Sequence, residues 1–375
     1  MDEIKKTTLH PRHVALGASM SPFGGFDMPI QYKGITEEHN AVRTACGVFD
    51  VSHMGEIRIT GPDAERFVNY IFSNDVIPAH PGQCLYGMML NAEGGVVDDL
   101  LVYKFATDAY LLVINASNIA KDERWIEDRA RDAVPGRTDG THFEVDINFL
   151  SEFTDELAVQ GPEAENVMRD VLGIDCSDLA FYTFKTTTFQ GHEILVSRTG
   201  YTGEDGFELY CQPSLTDTLW RALLDSGRCE PCGLGCRDTL RFEVALPLYG
   251  DELAEDITPL EAGLSMFVKL DKEPFMGRDA VKAQKEAGVK RKIVGLELEG
   301  GAVPRHGYEV LDMEGNSVGY VTTGYRAISV DKSVAMAMVD TASAALGTPL
   351  QVQIRRKRFP CKVVPKKFYK KSYKK

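Results

Sequence analysis

Apolar and polar residues alternate with the period of a strand in two similar stretches, and each stretch leads into a helical pattern. The runs Glu56–Thr60 and Leu157–Gln160 predict strands, and each is followed by Gly-Pro and an acidic residue. Apolar residues at helical spacing come next: Ala64, Phe67, Val68 and Ile71 in the first stretch, and Ala164, Val167, Met168 and Val171 in the second. The same order therefore occurs twice, about one hundred residues apart, which indicates an internal duplication.

Both copies continue with strands and a further helix. The first copy predicts strands Leu100–Phe105 and Tyr110–Asn115 and a helix near 117–132. The second predicts strands within 182–198 and 206–211 and a helix over Ser214–Asp225. An earlier helix is predicted to begin at Thr36 as its N-cap, with two acids in its first turn. Two similar α+β units follow, with a central cleft between their loops as the expected ligand site.

The pattern changes near residue 292, where six short alternating runs are separated by Gly, Pro and Asn turns. The runs are Ile293–Leu298, Tyr308–Leu311, Ser317–Thr322, Val334–Val339, Leu350–Ile354 and Phe359–Val364. They predict a small β-barrel or sandwich after a linker at roughly 265–290. We expect one discontinuous α+β unit from 1–51 with about 150–265, a second from 52–149, and a C-terminal β-barrel from 285–375.

Composition narrows the class of protein. The chain has 375 residues, of which 43% are apolar and 26% charged, so it is globular and large enough for two or three domains. No apolar run approaches the ~18 residues of a membrane span, and the N-terminus has no signal pattern. We expect a cytoplasmic protein. The cluster Cys229, Cys232 and Cys236 has no fourth partner at metal-site spacing, so its thiols are expected to be reduced and structural.

Charge is distributed unevenly over the chain. The net charge is −13, yet residues 354–375 hold eleven Lys and Arg and no acid. A basic end on an acidic body indicates an anionic ligand or an acidic partner. Nucleic acid binding is an alternative that rests on this tail alone, and basic tails are more often solvated surface.

The stretch Arg198–Leu209 carries the most suggestive chemistry. It holds three glycines, two aromatics and three carboxylates between two apolar strands. Glycine allows positive φ and close approach of a ligand. The loop is acidic and lacks a Gly-Lys-Ser/Thr sequence, so phosphate binding fits poorly. A carboxylate such as Glu208 could instead accept paired N–H bonds from a donor-rich ring. The plain alternative is a hairpin loop with solvated acids.

Several motifs taken together show a family resemblance that runs nearly from end to end. The matching segments are Phe49–Gly55, Gly94–Leu100, Arg198–Leu209, Gly233–Asp238 and Leu248–Gly250. With these the chain resembles the aminomethyltransferase, or T-protein, family of the glycine cleavage system. The resemblance implies an α+β fold of two similar units plus a C-terminal β-barrel, in a three-domain cloverleaf around a central folate site.

The resemblance also implies an activity and its partners. The family moves the methylene of an aminomethyl group from the lipoyl arm of the H-protein to tetrahydrofolate. The products are 5,10-methylenetetrahydrofolate, ammonia and the dihydrolipoyl H-protein. The P-protein and L-protein of the system are implied as functional partners. No metal, nucleotide cofactor, nucleic acid or membrane is implied.

Specific residues match the family's functional positions. Asp99 matches the catalytic carboxylate, and an extended Val97–Leu100 would send Asp98 and Asp99 to opposite faces, so that only one enters the cleft. Glu208 matches the residue that binds the pterin, with a salt-bridged strand residue as the alternative. Arg237 matches the contact to the folate tail, with a pair to Asp238 or a neighbouring acid as the alternative. The remaining expected contacts are Tyr373 at the folate and the cleft walls Tyr86, Tyr103, Asn115, Tyr201 and Met54.

Three further interpretations stay open from the sequence. His53 is expected to be a hydrogen-bonded loop histidine that holds backbone, and not a general base. Within enzymes, the alternatives are a folate-dependent demethylase acting on another donor, or the folate half of a sarcosine or dimethylglycine oxidase. The last alternative is a non-enzymatic folate-binding relative, whose Lys/Arg-Gly-Cys-Tyr/Phe loop differs from Arg198-Thr199-Gly200-Tyr201 here.

Overall fold

The computed structural model describes residues 4–370 of the chain, and these residues form two compact units. The first unit comprises 4–87 and 99–238, and the second comprises 88–98 and 239–370. Within the described ranges, no helix combines the length and the apolar character that a membrane crossing requires.

Secondary structure from the N-terminus to residue 130 is divided among four helices and seven strands. In chain order these are α1 (His10–Ala15), β1 (Ser19–Phe23), β2 (Phe26–Gln31), α2 (Ile35–Thr44), β3 (Gly47–Asp50), β4 (Gly55–Thr60), α3 (Ala64–Ile71), β5 (Gln83–Leu90), β6 (Val96–Ala106), β7 (Ala109–Ile114) and α4 (Ile119–Ala130). A short 3-10 helix, Ala116–Asn118, precedes α4.

The duplicated order returns between residues 146 and 243. The elements are β8 (Asp146–Phe149), β9 (Asp155–Gln160), α5 (Ala164–Leu172), β10 (Phe184–Phe189), β11 (His192–Ser197), β12 (Gly206–Cys211), α6 (Pro213–Asp225), β13 (Glu230–Pro231) and α7 (Leu234–Glu243). The strand, Gly-Pro turn and helix predicted in each copy are confirmed as β4 with α3 and as β9 with α5.

Two main sheets carry the first unit. One has the order β10-β11-β12-β9-β3-β13, the other β5-β6-β7-β4-β8, and β1 pairs with β2 separately. Side chains alternate across a strand, so Leu157 and Phe207 of the first sheet enter the apolar core with Trp220 of α6. The opposite face carries Tyr210, which packs in a second cluster with Tyr103 of the other sheet. The two sheets therefore meet through a layer that contains polar side chains.

The start of α2 differs from the prediction. Gly34 is the N-cap with φ of 149°, and Thr36 lies inside the helix. The capping comes from within the helix, because Glu38 Oε1 accepts the backbone N–H groups of Tyr32 at 2.6 Å and Gly34 at 3.2 Å. A side chain of the first turn thus replaces the usual N-cap hydroxyl.

The second unit is a closed β-barrel with an α-helix before it. The barrel strands are β14 (Arg291–Leu298), β15 (Glu309–Leu311), β16 (Ser317–Ala327), β17 (Lys332–Asp340), β18 (Pro349–Ile354) and β19 (Lys357–Val364), in the order β14-β17-β16-β15-β18-β19. All six predicted runs lie in these strands, which confirms an α+β fold with a C-terminal barrel. The predicted linker is not free of structure, because it contains α8 (Arg278–Ala287), whose Val281 is fully buried.

Candidate functional site

Asp99 lies in the middle of the polar layer of the first unit, on β6. Its side chain is 9% exposed. The Tyr86 hydroxyl donates to Oδ2 at 2.8 Å, and the Asn115 amide donates to Oδ1 at 2.9 Å. Asp98 is fully buried, so neither of the paired acids lies in a solvated turn. Two neutral donors, one on β5 and one directly after β7, fix the orientation of the Asp99 carboxylate.

The loop between β11 and β12 is not a solvated hairpin. Arg198 contacts Asp205 through two hydrogen bonds of 2.9 and 2.6 Å, and Glu165 through a third of 2.6 Å. Arg43 contacts Glu204 at 3.0 Å. Both loop acids are buried and neutralised by arginines, so they stabilise the loop and leave Glu208 as its remaining acid.

The glycines of this loop serve the packing of Gln160. A Cβ at Gly200 would lie 2.0 Å from Gln160 Oε1, and a Cβ at Gly206 would lie 2.5 Å from Gln160 Nε2. Only Gly203 of the three has positive φ, at 85°. At Gly200 and Gly206 the close approach that the sequence predicted therefore involves the Gln160 side chain.

Glu208 is 7% exposed and accepts a hydrogen bond of 2.5 Å from Thr199 Oγ1. Burial raises the pKa of Glu208, whereas the Thr199 hydrogen bond and the Arg237 charge lower it. No basic side chain among residues 4–370 lies within ion-pair distance of it, so the salt-bridged alternative is wrong. Its second oxygen is available for a donor.

Arg237 lies half-buried in the first half of α7, with its guanidinium 4.5 Å from the centre of the Tyr201 ring. It forms no ion pair with Asp238 or any other acid in the described part of the chain, so the alternative of a structural pair is wrong. The Arg237 charge lowers the pKa values of Glu208 and His53. A cation held against an aromatic ring, without a counter-ion among the described residues, is suited to bind a carboxylate.

The other expected wall residues group around these three. Burial raises the pKa of Tyr86, and the Asp99 carboxylate beside its hydroxyl and the neighbouring Tyr201 raise it further, so Tyr86 is close to both. Tyr103 is fully buried, and its hydroxyl contacts Ser197 at 3.1 Å and Tyr210 at 2.9 Å. Met54 packs against the same apolar cluster as Tyr103. Tyr373 lies outside the described residues.

His53 does not hold backbone through hydrogen bonds, and that expectation is wrong. Neither ring nitrogen has a hydrogen-bond partner among the described residues, and the side chain is fully buried. Its ring contacts Phe23 and Phe26 edge-on. Burial and the Arg237 charge lower the pKa of His53 to about 3, so the imidazole is neutral.

The cysteines are packing residues. All eight are free and buried. Cys232, Cys236 and Glu38 lie close enough together to hold a metal ion. The Glu38 carboxylate, however, already accepts three backbone N–H groups, from Tyr32, Gly34 and Gly233. Burial raises the pKa of Cys232, which disfavours the thiolate that a metal requires. The side chains of Glu38, Cys232 and Cys236 therefore fit a structural role better than a metal site.

Sequence reasoning missed four polar residues beside the site: Ser197, Thr199, Tyr210 and Glu156. The signal was present as two-residue spacing, since 197 with 199, and 208 with 210, fall on one face of a strand. Their pairing depends on register, which the sequence does not show.

Comparisons with known proteins agree with this arrangement. Residues 9–272 match the GCVT N-terminal domain, and residues 291–370 match the glycine cleavage T-protein C-terminal barrel domain. The chain is 46% identical over its full length to an aminomethyltransferase of Alkaliphilus oremlandii, with the whole of that protein covered. It is 47% identical to an aminomethyltransferase of Caldanaerobacter subterraneus, covering 100% of this chain and 98% of that protein.

A solved structure extends the similarity to the fold. The crystal structure of the glycine cleavage system aminomethyltransferase T from Bartonella henselae superposes with a TM-score of 0.92 at 34% identity, over 100% of both chains. Both domain models and full-length relatives point to the same group of proteins. The chain belongs to the aminomethyltransferase family, the T-proteins of the glycine cleavage system.

Proposed function

We propose that this enzyme transfers the methylene of an aminomethyl-dihydrolipoyl H-protein to tetrahydrofolate, forming 5,10-methylenetetrahydrofolate and ammonia. One observation carries the proposal most directly. Within residues 4–370, a buried acceptor, Glu208, and a cation, Arg237, lie without ion-pair partners in the same unit as the oriented carboxylate of Asp99. Folate has matching ends, a ring rich in N–H donors and a glutamyl carboxylate tail.

Glu208 is proposed to bind the pterin ring. Thr199 occupies one carboxylate oxygen, so the other is directed to the ligand. Charge-assisted hydrogen bonds to such a group contribute about 1.5–3 kcal/mol each. Because Glu208 is almost completely buried, solvent screens these bonds little.

Arg237 is proposed to bind the glutamyl tail. Its guanidinium can donate two parallel hydrogen bonds to one carboxylate. The Tyr201 ring keeps the guanidinium in place, and the absence of an acid partner among the described residues leaves its donors available.

Asp99 is proposed to act on the amines at which the one-carbon unit is transferred. Tyr86 and Asn115 hold its two oxygens, so the carboxylate meets its target without reorganisation. An ionised Asp99 can accept a proton from an attacking amine and stabilise the positive charge that develops as ammonia leaves.

The basic turn at the end of the barrel is proposed to meet the protein donor. Arg355 and Arg356 connect β18 to β19, and all four residues of Arg355–Arg358 are exposed. Their one side-chain hydrogen bond within the described residues is that of Arg358 with Gln353 at 3.4 Å, so their charges are available to an acidic H-protein surface. P-protein and L-protein would act in the same system, and no surface of this chain is proposed to contact them.

The test is Asp99→Asn, because asparagine keeps the shape and the hydrogen-bonding capacity while removing the charge and the proton acceptor. Turnover should fall nearly to background while the Kd for tetrahydrofolate stays within about tenfold, since Asp99 contributes to chemistry more than to binding. Asp108→Asn, an exposed acid in the turn between β6 and β7, is the matched control.

Two results would contradict the proposal. Turnover near wild type in Asp99→Asn would remove Asp99 from the mechanism. Tetrahydrofolate binding without any turnover in the wild type would favour a non-enzymatic folate-binding protein.

A further inference from the structure

Two carboxyls lie on one buried face of the first sheet, joined by the register of its strands. On that face Glu156 of β9 is directly opposite Tyr210 of β12, and Glu208 of β12 is directly opposite Ser197 of β11. Opposite residues in an antiparallel pair have Cβ atoms about 4.5–5.5 Å apart. The reverse face is apolar core, so this polar row is confined to one side.

Four hydroxyl groups form a row that leads in sequence from Tyr210, which is opposite Glu156, to Glu208. The Tyr210 hydroxyl contacts Tyr103 at 2.9 Å, and Tyr103 contacts Ser197 at 3.1 Å. Ser197 contacts Thr199 at 2.6 Å, and Thr199 donates to Glu208 at 2.5 Å. All four hydroxyl side chains are buried, so none exchanges its partner with bulk water.

Counting protons fixes the direction of every bond. Each hydroxyl has one proton to donate. When Glu208 is a carboxylate, Thr199 donates to it, and Ser197, Tyr103 and Tyr210 must then each donate one step toward Glu208. The Tyr210 oxygen is left with only lone pairs toward Glu156. A neutral Glu156 acid can donate to those lone pairs, and an ionised Glu156 would face them without a proton.

The surroundings of Glu156 also favour its neutral form. It is 2% exposed, and its Oε2 has no hydrogen-bond partner within residues 4–370. Burial raises the pKa of Glu156, and the neighbouring carboxylates Glu208 and Glu56 raise it further. The Arg237 charge lowers it, as would a hydrogen bond donated by Tyr210, but a buried carboxylate with an unpartnered oxygen carries a large desolvation cost.

We propose that Glu156 and Glu208 share one proton through Tyr210, Tyr103, Ser197 and Thr199, so that a neutral Glu156 keeps Glu208 as the carboxylate that meets the ligand. Glu156 is thus a positioning residue that acts through Glu208. Transfer of the proton in the other direction balances: Glu156 gives its proton to Tyr210, each hydroxyl passes its own to the next oxygen, and Thr199 protonates Glu208. No other reactant is needed.

The consequence for binding rests on the proposed function. Ligand N–H donors stabilise Glu208 as a carboxylate and therefore hold the proton on Glu156. When Glu156 ionises at higher pH, the Tyr210 hydroxyl rotates to donate its proton to Glu156. Tyr210 then no longer donates a hydrogen bond to Tyr103. The Thr199 bond to Glu208 then weakens, and a second buried negative charge appears nearby. Ligand affinity should fall at that pH.

The first test needs no ligand. The infrared difference spectrum of wild type minus Glu156→Gln at pH 7 should contain the C=O band of a protonated carboxylic acid. Glu56→Gln is the matched control, because Glu56 is equally buried but does not contact the hydroxyl row. The Glu156 band should persist in Glu56→Gln. A difference spectrum that contains only carboxylate bands would overturn the proposal.

The second test follows tetrahydrofolate affinity against pH. Wild type should lose affinity about three- to tenfold as Glu156 ionises, the effect of one weakened hydrogen bond. Glu56→Gln should lose as much but at a lower pH, because Glu56 raises the pKa of Glu156. Glu156→Gln should show no such loss, because its amide donates to Tyr210 at every pH. Identical profiles for wild type and Glu156→Gln would overturn the proposal.

A second variant guards against loss of folding. Tyr210→Phe interrupts the row while both carboxyls remain, so it should also change the alkaline part of the affinity profile. An unchanged profile in folded Tyr210→Phe would contradict the role of the row. If the wild type binds no tetrahydrofolate, the proposed function fails, and the infrared result on the free protein still decides where the proton lies.

Discussion

Glu208→Gln should weaken tetrahydrofolate binding strongly while the protein stays folded. One oxygen of Glu208 accepts the Thr199 hydroxyl at 2.5 Å, and this hydroxyl has no other proton to give. In glutamine the amide oxygen would keep this bond. The NH₂ group would then face the N–H donors of the ligand, where two donors meet and no hydrogen bond forms.

The magnitude follows from the burial of the site. A charge-assisted hydrogen bond contributes about 1.5–3 kcal/mol, and Glu208 is only 7% exposed, so little of this is lost to solvent screening. Loss of one such bond corresponds to an increase in Kd of about 10- to 150-fold. Loss of both hydrogen bonds between Glu208 and the pterin ring would increase the Kd beyond that range.

Isothermal titration calorimetry with tetrahydrofolate measures this Kd directly. Glu193→Gln is the matched control, because Glu193 is an exposed residue on the neighbouring strand β11 and its variant should bind as wild type. The melting temperature of both variants checks folding. An unchanged Kd in a folded Glu208→Gln would refute the assignment of Glu208 to the ring and leave it as a structural residue.

Three further perturbations test other parts of the molecule. Arg241→Met should lower the free energy of unfolding by about 3–5 kcal/mol in urea denaturation, because it leaves the buried Glu252, which is 2.7 Å from Arg241, without its cationic partner. Asp50→Asn should flatten the loss of stability in acid. Burial raises the pKa of Asp50, but its hydrogen bonds to His13, Ser52 and Thr7 and the His13 charge outweigh this and lower it below 3.8, so the stabilisation is present at neutral pH and lost as pH falls. Neutralising the barrel turn should lower kcat/KM for H-protein and flatten its salt dependence, because rim charges act on association; the residues to replace are Arg355, Arg356, Lys357 and Arg358.

Each of these has an outcome that would contradict it. Adding Glu252→Gln to Arg241→Met should recover part of the lost stability, and strictly additive losses would show that the two residues do not interact. An acid-unfolding profile of Asp50→Asn that parallels wild type would remove Asp50 as a source of acid lability. Equal losses of rate with H-protein and with a free dihydrolipoyl donor would show that the basic turn serves folding and not docking.

Local patterning was enough for most of the fold. The six barrel strands and the two strand–turn–helix copies were predictable because each depends on residues within about ten positions of one another. Strands too short to show a period, such as the four-residue β3 and the two-residue β13, gave no comparable signal. The helix α7, which carries Arg237, was also missed, since Gly233 and Gly235 at its start resemble a loop.

The candidate site divides in the same way. Family motifs pointed to Asp99, Glu208 and Arg237, and alternation along β6 predicted that Asp98 and Asp99 face opposite ways. The partners of these residues depend on contacts distant in sequence. Tyr103 reaches Ser197 across 94 residues and Tyr210 across 107, and Glu156 meets Tyr210 only through the register of β9 with β12.

Burial and charge balance likewise appear only in three dimensions. The sequence allowed Glu204, Asp205 and Glu208 to be equivalent acids, but the first two are neutralised by Arg43 and Arg198, which other segments bring to them. A shift of one residue in strand register would turn Glu156 and Tyr210 toward the apolar core. Sequence periodicity therefore sets which residues share a strand face, and the packing of the strands determines which of those residues exchange a proton.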